Sequence, residues 1–302
     1  MVDKFDFEHK VKRDDEGLLI KGLLKRERGV STRLMRRMRY GDGGIFMNGK
    51  PAKLIDGVKI GDFVQVKFPV EKSDFEPEAI PIDIVYEDES ILAINKQPGF
   101  VVHPTKGHPN HTIANGIMKY MIDQGDSYKI RFINRLDMNT SGLLLIGKNP
   151  HSQNHFTNQG KLGEIDKIYR AFVCGIIEEN NGVIDLPIEK EDVDKVKRIV
   201  REDGLPSVTE YKVIERYEKG YTLVELKLIT GRTHQIRVHM SHIGHPVVGD
   251  ELYGGSKPWL IERQALHAYK LRFSHPITGN EIDLTAPLPK DMEQVRKNLV
   301  QK

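Results

Sequence analysis

The hydrophobic pattern divides the chain into a short first part and a longer second part. In the first part, apolar positions four residues apart predict a helix over residues 31–40, with Leu34 and Met38 on its inner face. Asn48-Gly49, within the segment 44–51, predicts a hairpin, and residues 63–68 alternate in the manner of a strand. These elements predict a small unit in which a helix precedes a hairpin.

The periodicity is then lost in a segment that contains Pro77 and Pro81. Because proline interrupts both helices and sheets, a connection is expected there. The sequence therefore predicts a small basic module over residues 1–70, a linker over residues 71–81 and a larger domain over residues 82–302.

The second part contains short strand-like runs that alternate irregularly with a few helical patterns. The runs cover residues 82–86, 91–95, 143–146, 169–173, 208–214 and 221–229. Thr112 and Asn149-Pro150 are expected to begin helices, and the charged stretch 189–204 is expected to be an exposed loop. The irregular alternation favours an α+β fold with a mixed sheet over regular βαβ winding.

Composition narrows the class of protein. The single cysteine, Cys174, excludes an intrachain disulfide framework and any zinc site with two or more thiolates of this chain, and it favours a reducing compartment. The N-terminus is charged where a signal peptide is apolar, and no window approaches the ~18 apolar residues of a membrane span. These features predict a soluble cytoplasmic protein with no membrane association.

Positive charge is concentrated near the N-terminus. The formal net charge of the whole chain is +3, but residues 1–70 hold 16 Lys or Arg against 10 Asp or Glu. Residues 21–40 contain one acidic residue, Glu27, and eight basic ones: Lys21, Lys25, Arg26, Arg28, Arg33, Arg36, Arg37 and Arg39. Such a cluster indicates either a surface that binds a polyanion or a solvated helix face.

A polar loop between two predicted strands carries the first candidate for chemistry. Asp137 lies in this loop, two residues after Arg135 and shortly before Thr140-Ser141-Gly142. An aspartate in such a loop commonly forms hydrogen bonds to nearby amides as part of a turn. With these neighbours, it is also suited to be a positioned nucleophile or an acid or base.

The second candidate is a predicted helix over residues 234–243, with Thr233 as its N-cap. Helical spacing places His234, Arg237 and Ser241 on one flank, from which Arg237 could reach an acid such as Asp137. Such a pair is either a structural ion pair or a device that keeps the carboxylate ionised and oriented.

Histidines near both segments raise the possibility of a metal site. His239 and His242 are three residues apart, but no acidic ligand run accompanies them, so metal binding is disfavoured. His103, His108 and His111 lie in a loop rich in proline and glycine and are expected to be exposed.

Four segments together resemble the RluA family of pseudouridine synthases. They are Asn95 to Pro104, Asn134 to Leu143, Lys167 to Ala171, and Thr230 to Tyr253. Residues 13–70 more weakly resemble the small RNA-binding module named after ribosomal small-subunit protein four. The family usually carries a histidine directly before Arg-Leu-Asp, where this chain has Asn134.

The resemblance implies isomerisation of a uridine in RNA, ribosomal or transfer, without cofactor or metal. It implies a mostly antiparallel mixed sheet with peripheral helices and a central cleft. Asp137 would be the nucleophile or base, Arg237 its ion-pair partner, and Tyr169 would stack on a flipped uracil and help to move a proton. Arg135 would fill the vacated stack, and six basic residues would contact RNA phosphates: Lys21, Lys25, Arg26, Arg33, Arg36 and Arg37.

Two other functions are weighed against this one. The first is a catalytically silent RNA chaperone or ribosome-assembly factor on the same fold, which loss of Asp137 or Arg237 would indicate; both are present. The second is a metal-dependent hydrolase that uses the histidines. No obligate protein partner is evident, and a monomer is expected.

Overall fold

The computed structural model describes residues 5–38, 43–192 and 196–300. The N-terminal elements are β1 (Phe7–Lys10), α1 (Ile20–Arg28), α2 (Thr32–Met38), β2 (Gly44–Met47), β3 (Lys50–Pro51) and β4 (Phe63–Lys67). The strands form an antiparallel sheet in the order β1-β4-β2-β3. Both helices pack on this sheet, and together they enclose a hydrophobic core that belongs to the N-terminal part alone.

The predicted helix and hairpin of the N-terminal unit are confirmed. In α2, Leu34 and Met38 are buried, and the Ser31 hydroxyl accepts a hydrogen bond from the Leu34 amide. The predicted end of this helix, residues 39 and 40, lies outside the described residues. Asn48 and Gly49 have φ values of +53° and +76°, so both adopt the left-handed conformation that a two-residue hairpin turn of this kind needs.

The remaining elements belong to the larger part of the chain. Its strands are β5 (Ile84–Glu87), β6 (Ile91–Lys96), β7 (Arg131–Phe132), β8 (Ser141–Gly147), β9 (Asp166–Cys174), β10 (Asn181–Asp185), β11 (Ile188–Lys190), β12 (Arg198–Val200), β13 (Val208–Tyr217), β14 (Tyr221–Leu228), β15 (Leu266–Ser274) and β16 (Glu281–Thr285). Its helices are α3 (Ile113–Gln124), α4 (Pro150–Leu162), α5 (Gln235–His242) and α6 (Lys290–Val300).

Ten of these strands form one sheet. Its main path runs β10-β13-β14-β9-β15-β8-β6-β5, with β16 paired to β15 and β7 paired to β8. The described pairings are antiparallel except at the centre, where β8 and β15 are parallel. The predicted α+β fold with a mixed, mostly antiparallel sheet is confirmed.

Helices cover both faces of the large sheet. In β6, Leu92 and Ile94 face a core that includes α3 and α5, whereas Ile91 and Ala93 face a core that includes α4. Because side chains alternate between the two faces, a strand buried on both sides reads as a continuous apolar run. This explains the uninterrupted hydrophobic character of the central strands.

The stretch 189–204, predicted to be an exposed loop, contains paired strands, and its described residues are exposed or half-buried. Strand β11, which begins one residue before the stretch, pairs antiparallel with β12, and both Ile188 and Val200 pack against Val238 and Tyr253. The Arg198 amide also donates a hydrogen bond to the Tyr253 hydroxyl, at 2.9 Å. Contacts of Ile188 and Val200 and the hydrogen bond of Arg198 therefore order a segment whose composition is that of a loop.

The connection between the two parts is packed against both of them. Glu71 forms ion pairs with Arg37 of α2 and with Arg131 of β7, and Phe68 stacks on His151 at 5.7 Å between ring centroids. The domain boundaries at residues 70 and 82 stay predictions. Within the described residues, no helix has the length and apolar character needed to cross a membrane.

Candidate active site

Two basic side chains, Lys96 and Arg263, hold the backbone of the loop that carries Asp137. This loop connects β7 to β8 at the centre of the large sheet. Lys96 Nζ donates a hydrogen bond to the Met138 carbonyl at 2.9 Å, and Arg263 Nη1 donates one to the Asn139 carbonyl at 3.0 Å. Within the loop, the Thr140 amide donates to the Asp137 carbonyl. The backbone around Asp137 is therefore fixed without use of the Asp137 side chain.

Lys96 and Arg263 support the loop of the candidate site, and sequence reasoning missed both of them. Lys96 is fully buried at the end of β6, and burial, followed by the charge of Arg263, lowers the pKa of Lys96 to about 7. Arg263 is held in turn by both carboxylate oxygens of Asp291. A lysine at the end of a strand is usually exposed, so the sequence around Lys96 gave no signal that its side chain is buried.

Gly142, near the point where the loop ends and β8 begins, lies very close to the backbone of β15. Its φ is +110°, and a Cβ atom at this position would lie 2.3 Å from the Ala268 carbonyl oxygen of β15. No side chain fits between the two backbones at this point. The close approach of β8 and β15 thus depends on glycine.

Asn134, which occupies the position of the family's usual histidine, fastens the other end of the loop. Its amide nitrogen donates to the Leu143 carbonyl at 3.0 Å, and its carbonyl oxygen accepts from the Leu145 amide at 2.8 Å. Both contacts are with the backbone of β8. Asn134 therefore has a structural role in the loop.

Arg237 contacts two carboxylates at once. Its Nη1 atom lies 3.0 Å from Asp137 Oδ2, as the helical spacing predicted. Its Nε and Nη2 atoms donate to the two carboxylate oxygens of Asp250, at 2.6 and 2.9 Å. Burial alone would lower the pKa of Arg237, but the hydrogen bonds and charges of Asp250, and then of Asp137, raise it. The guanidinium is therefore a permanently charged and fixed partner for Asp137.

Asp250 was not among the residues predicted from sequence. Its exposed fraction is 1%, and it lies in a tight loop in which the Asp250 amide donates to the Val247 carbonyl. The loop closes through hydrogen bonds between Gly249 and Gly255 and between Gly255 and Asp250. The signal that could have found it is an acidic residue between glycines, thirteen residues after Arg237.

The start of α5 differs from its prediction. Thr233 is not the N-cap; His234 occupies that position with a φ of +58°, and its side chain makes no capping hydrogen bond. The preceding turn is ordered instead by the Gln235 side-chain oxygen, which accepts hydrogen bonds from the Thr230 hydroxyl and the Arg232 amide. A left-handed residue other than glycine is uncommon and is often found at functional sites.

This conformation places the His234 ring beside Asp137. Its Nδ1 atom is 2.9 Å from the Tyr253 hydroxyl, which already accepts from the Arg198 amide, so we assign the hydroxyl proton to the bond with Nδ1. Nε2 then carries the ring proton and lies 3.7 Å from Asp137 Oδ2. Burial lowers the pKa of His234, opposed by the Asp137 charge. A neutral imidazole thus faces the carboxylate.

Tyr169 lines the same cleft as Asp137 and Arg237. The volume of this cleft is about 510 Å³. The residue belongs to β9, where it pairs with Leu226 on one side and Ala268 on the other. Burial, followed by the charge of Asp137, raises the pKa of the Tyr169 phenol. The phenol therefore keeps its proton at neutral pH, and its ring forms an apolar wall beside the carboxylate.

The predicted RNA-binding residues fall into two groups. Arg135 is exposed at the cleft, and Lys21, Lys25, Arg33 and Arg36 are exposed on the N-terminal helices. Two others have acidic partners: Arg26 pairs with Asp15 and Glu27, and Arg37 pairs with Glu71. The side chain of Arg28 and the whole of Arg39 lie outside the described part of the chain.

The histidines that were considered as metal ligands have the following surroundings in the structure. Across residues 5–38, 43–192 and 196–300, no three His, Cys, Asp or Glu side chains are grouped so that they could share a metal ion. His239 is buried and contacts the Thr209 hydroxyl and the Leu186 carbonyl. His103, His108 and His111 are exposed, as predicted.

Comparison with known proteins identifies the family of the chain. A family model described as RNA pseudouridylate synthase matches residues 90–242. The chain belongs to the RNA pseudouridylate synthase family. The uncharacterized RNA pseudouridine synthase YjbO of Bacillus subtilis (strain 168) is 40% identical to this synthase over 273 residues, which are 90% of this chain and 96% of the relative.

Two further relatives extend the comparison. Ribosomal large subunit pseudouridine synthase D of Escherichia coli (strain K12) is 37% identical over 272 residues, 84% of this chain and 82% of the relative. The solved structure of human RNA pseudouridylate synthase domain containing 1 is 26% identical, with a TM-score of 0.57 over 74% of this chain and 97% of that one.

The match to the family model begins at residue 90. It therefore includes Asp137, Tyr169 and Arg237 but not the N-terminal module. The resemblance of that module to the RNA-binding module of ribosomal small-subunit protein four stays a prediction.

Proposed function

We propose that this pseudouridine synthase isomerises uridine in ribosomal RNA and that Asp137 is its essential group. The observation that carries the assignment is the contact of 3.0 Å between Asp137 and Arg237 in a cleft that also presents Tyr169. The cleft volume of about 510 Å³ falls within the ~300–1,000 Å³ range of ligand pockets. Bacterial relatives named for the ribosomal large subunit support ribosomal RNA as the substrate; transfer RNA is the alternative.

The proposed reaction rearranges bonds within one nucleotide. The bond from the ribose to a ring nitrogen of uracil breaks, the base turns, and a ring carbon is joined to the ribose while that carbon's proton moves to nitrogen. Substrate and product are isomers, so no group donor or redox partner enters. Asp137 acts on the ribose either as a nucleophile or as a base, and either role requires the ionised carboxylate that Arg237 stabilises.

Tyr169 and Arg135 handle the base in this proposal. A uracil inside a helix cannot reach the carboxylate, so the nucleotide has to leave its stack. The Tyr169 ring offers an apolar surface on which the flipped base stacks. Arg135, exposed two residues from Asp137, is placed to occupy the space that the base vacates.

We also propose that the protein acts in the cytoplasm. The single cysteine is consistent with a reducing compartment, and bacterial ribosomal RNA is present there.

The test uses purified full-length protein and two unmodified transcripts, one of large-subunit ribosomal RNA and one of transfer RNA. Pseudouridine is mapped in each after incubation with the wild type or with Asp137→Asn. We expect modification of the ribosomal transcript by the wild type, and a loss of more than a thousandfold, about 4 kcal/mol, in the isosteric variant. RNA affinity should remain near that of the wild type.

Three outcomes would contradict the proposal in whole or in part. RNA binding without modification of either transcript by the wild type would favour the assembly-factor function. Turnover of Asp137→Asn above about a thousandth of the wild-type rate would exclude Asp137 as the essential group. Modification of the transfer RNA alone would correct the substrate.

A further inference from the structure

A second concavity, the junction groove, lies between the N-terminal module and the domain that holds the cleft. Its volume is about 360 Å³. It is lined by α2, by residues just before and within β7, and by the first turns of α4. Four of the lining residues are cations: Arg33, Arg37, Lys129 and Arg131. The catalytic contacts described above do not use this groove.

The junction groove has an excess of positive charge. Among its described lining residues, Glu71 is the only carboxylate, and it pairs with both Arg37 and Arg131. One anion facing four cations leaves a net charge of +3. Burial, followed by the charge of Arg37, lowers the pKa of Arg131 to about 10, so Arg131 remains protonated at neutral pH. The groove is therefore suited to an anionic ligand.

Two of the four cations are available to such a ligand. Arg33 and Lys129 are exposed, and within the described chain no carboxylate lies within ion-pair distance of either side chain. Arg33 comes from the N-terminal module and Lys129 from the other part of the chain. An anion bound between them would contact both parts at once.

The junction groove adjoins the catalytic cleft. Gln153 and Thr157 of α4 line both concavities. They are four residues apart on one helix face, which corresponds to about 6 Å along the helix axis. A single RNA strand with a nucleotide in the cleft can therefore pass over this polar face of α4 and enter the groove.

We propose that the junction groove binds a backbone phosphate of the same RNA strand whose uridine occupies the cleft, through Arg33 and Lys129. This inference rests on the proposed function and adds a binding site to it. The repeated anionic group of an RNA strand is its phosphate, and Lys and Arg side chains that face solvent are its usual partners. The groove would then set the direction in which the strand crosses α4.

The test measures how the affinity for the unmodified ribosomal RNA transcript depends on salt concentration. The variants are Arg33→Gln, Lys129→Gln and the double variant, each in the full-length chain. Each neutralised contact should reduce the slope of log affinity against log salt by about 0.7–0.9, and the double variant by about 1.5.

Two kinds of control accompany these variants. Lys297→Gln removes an exposed cation of α6 that does not line the groove, and its slope should equal that of the wild type. Arg33→Lys and Lys129→Arg keep the charge and should keep the slope. Circular dichroism of every variant should match the wild type, since both groove residues are exposed.

A double variant with the wild-type slope would overturn the proposal. An equal reduction of the slope in Lys297→Gln would overturn it as well, because the effect would then follow total charge rather than position. The proposed function fails in a separate way, through the absence of pseudouridine in the wild-type reaction. A reduced slope under that condition would still support phosphate binding in the groove.

Discussion

The candidate active-site cleft and the N-terminal helices hold positive charge in opposite ways. In the cleft, Arg237 is buried and contacts Asp137 and Asp250 with three of its nitrogen atoms. On the N-terminal helices, Lys25 and Arg33 are exposed and have no carboxylate partner among the described residues. The first arrangement fixes one geometry, whereas the second leaves charges free to follow a ligand.

This difference matches the roles that we propose for the two regions. A reaction at a single bond gains from groups that are already oriented before the substrate arrives. Affinity for an RNA backbone comes from exchange of counterions and tolerates many positions of the phosphate. Each prediction below either removes the fixed geometry or removes a free charge.

After Asp137→Asn, the largest effect is expected from Arg237→Met. The variant leaves Asp137 without its partner and Asp250 buried without any ion pair that the structure describes. Turnover should fall roughly a thousandfold, and the free energy of unfolding should drop by about 3–5 kcal/mol. Single-turnover rates and urea unfolding measure the two changes. Arg272→Met, which changes an exposed arginine on β15, should change neither, and an active Arg237→Met variant would exclude the pairing as a catalytic requirement.

A smaller effect is expected from Tyr169→Phe. The ring is retained, so RNA affinity should persist, while loss of the phenol should lower turnover by about a hundredfold if it helps to move a proton. Tyr128→Phe is the matched control, because Tyr128 is also buried and its hydroxyl has no partner among the described residues. Unchanged turnover in Tyr169→Phe would limit this residue to stacking.

Asp250→Asn should reduce turnover by roughly tenfold, since a small displacement of a catalytic partner is enough to slow a reaction. The amide oxygen of asparagine can still accept one hydrogen bond from Arg237, but its NH₂ group faces a guanidinium donor. RNA affinity should not change. Turnover equal to that of the wild type would show that Asp137 alone positions Arg237.

The smallest effect compares two neighbouring cations of α1. Lys25→Gln should reduce the salt slope of RNA binding by about 0.7–0.9, because this side chain is free to contact phosphate. Arg26→Gln should change it less, since Asp15 and Glu27 already neutralise Arg26. Equal slopes in the two variants would mean that the ion pairs of Arg26 open when RNA binds.

The sequence predicted the elements that depend on local pattern. Helix spacing placed Arg237 on the face that meets Asp137, and the asparagine cap of α4 and the hairpin at Asn48-Gly49 follow from local backbone preferences. Each of these features is decided by a few adjacent residues. The family resemblance added the role of Tyr169 as a hypothesis.

The supports of the site could not be predicted in the same way. Arg263 contacts a carbonyl 124 residues earlier in the chain, and Lys96 contacts one 42 residues later. Neither contact leaves a periodic signal, and charged residues of this type are usually exposed. The left-handed His234 was missed for a related reason, because its conformation is set by the turn held by Gln235 rather than by its own preference.

Gly142 shows how unevenly this site can tolerate sequence change. Any other residue at this position would have to push β8 away from β15. The loop that leads into β8 would move with the strand, and Asp137 would be displaced with the loop. Met138, beside Asp137, is 40% exposed and can be exchanged at little cost to packing. A library of variants covering residues 134–142 should therefore retain active sequences with many residues at 138 and with glycine alone at 142.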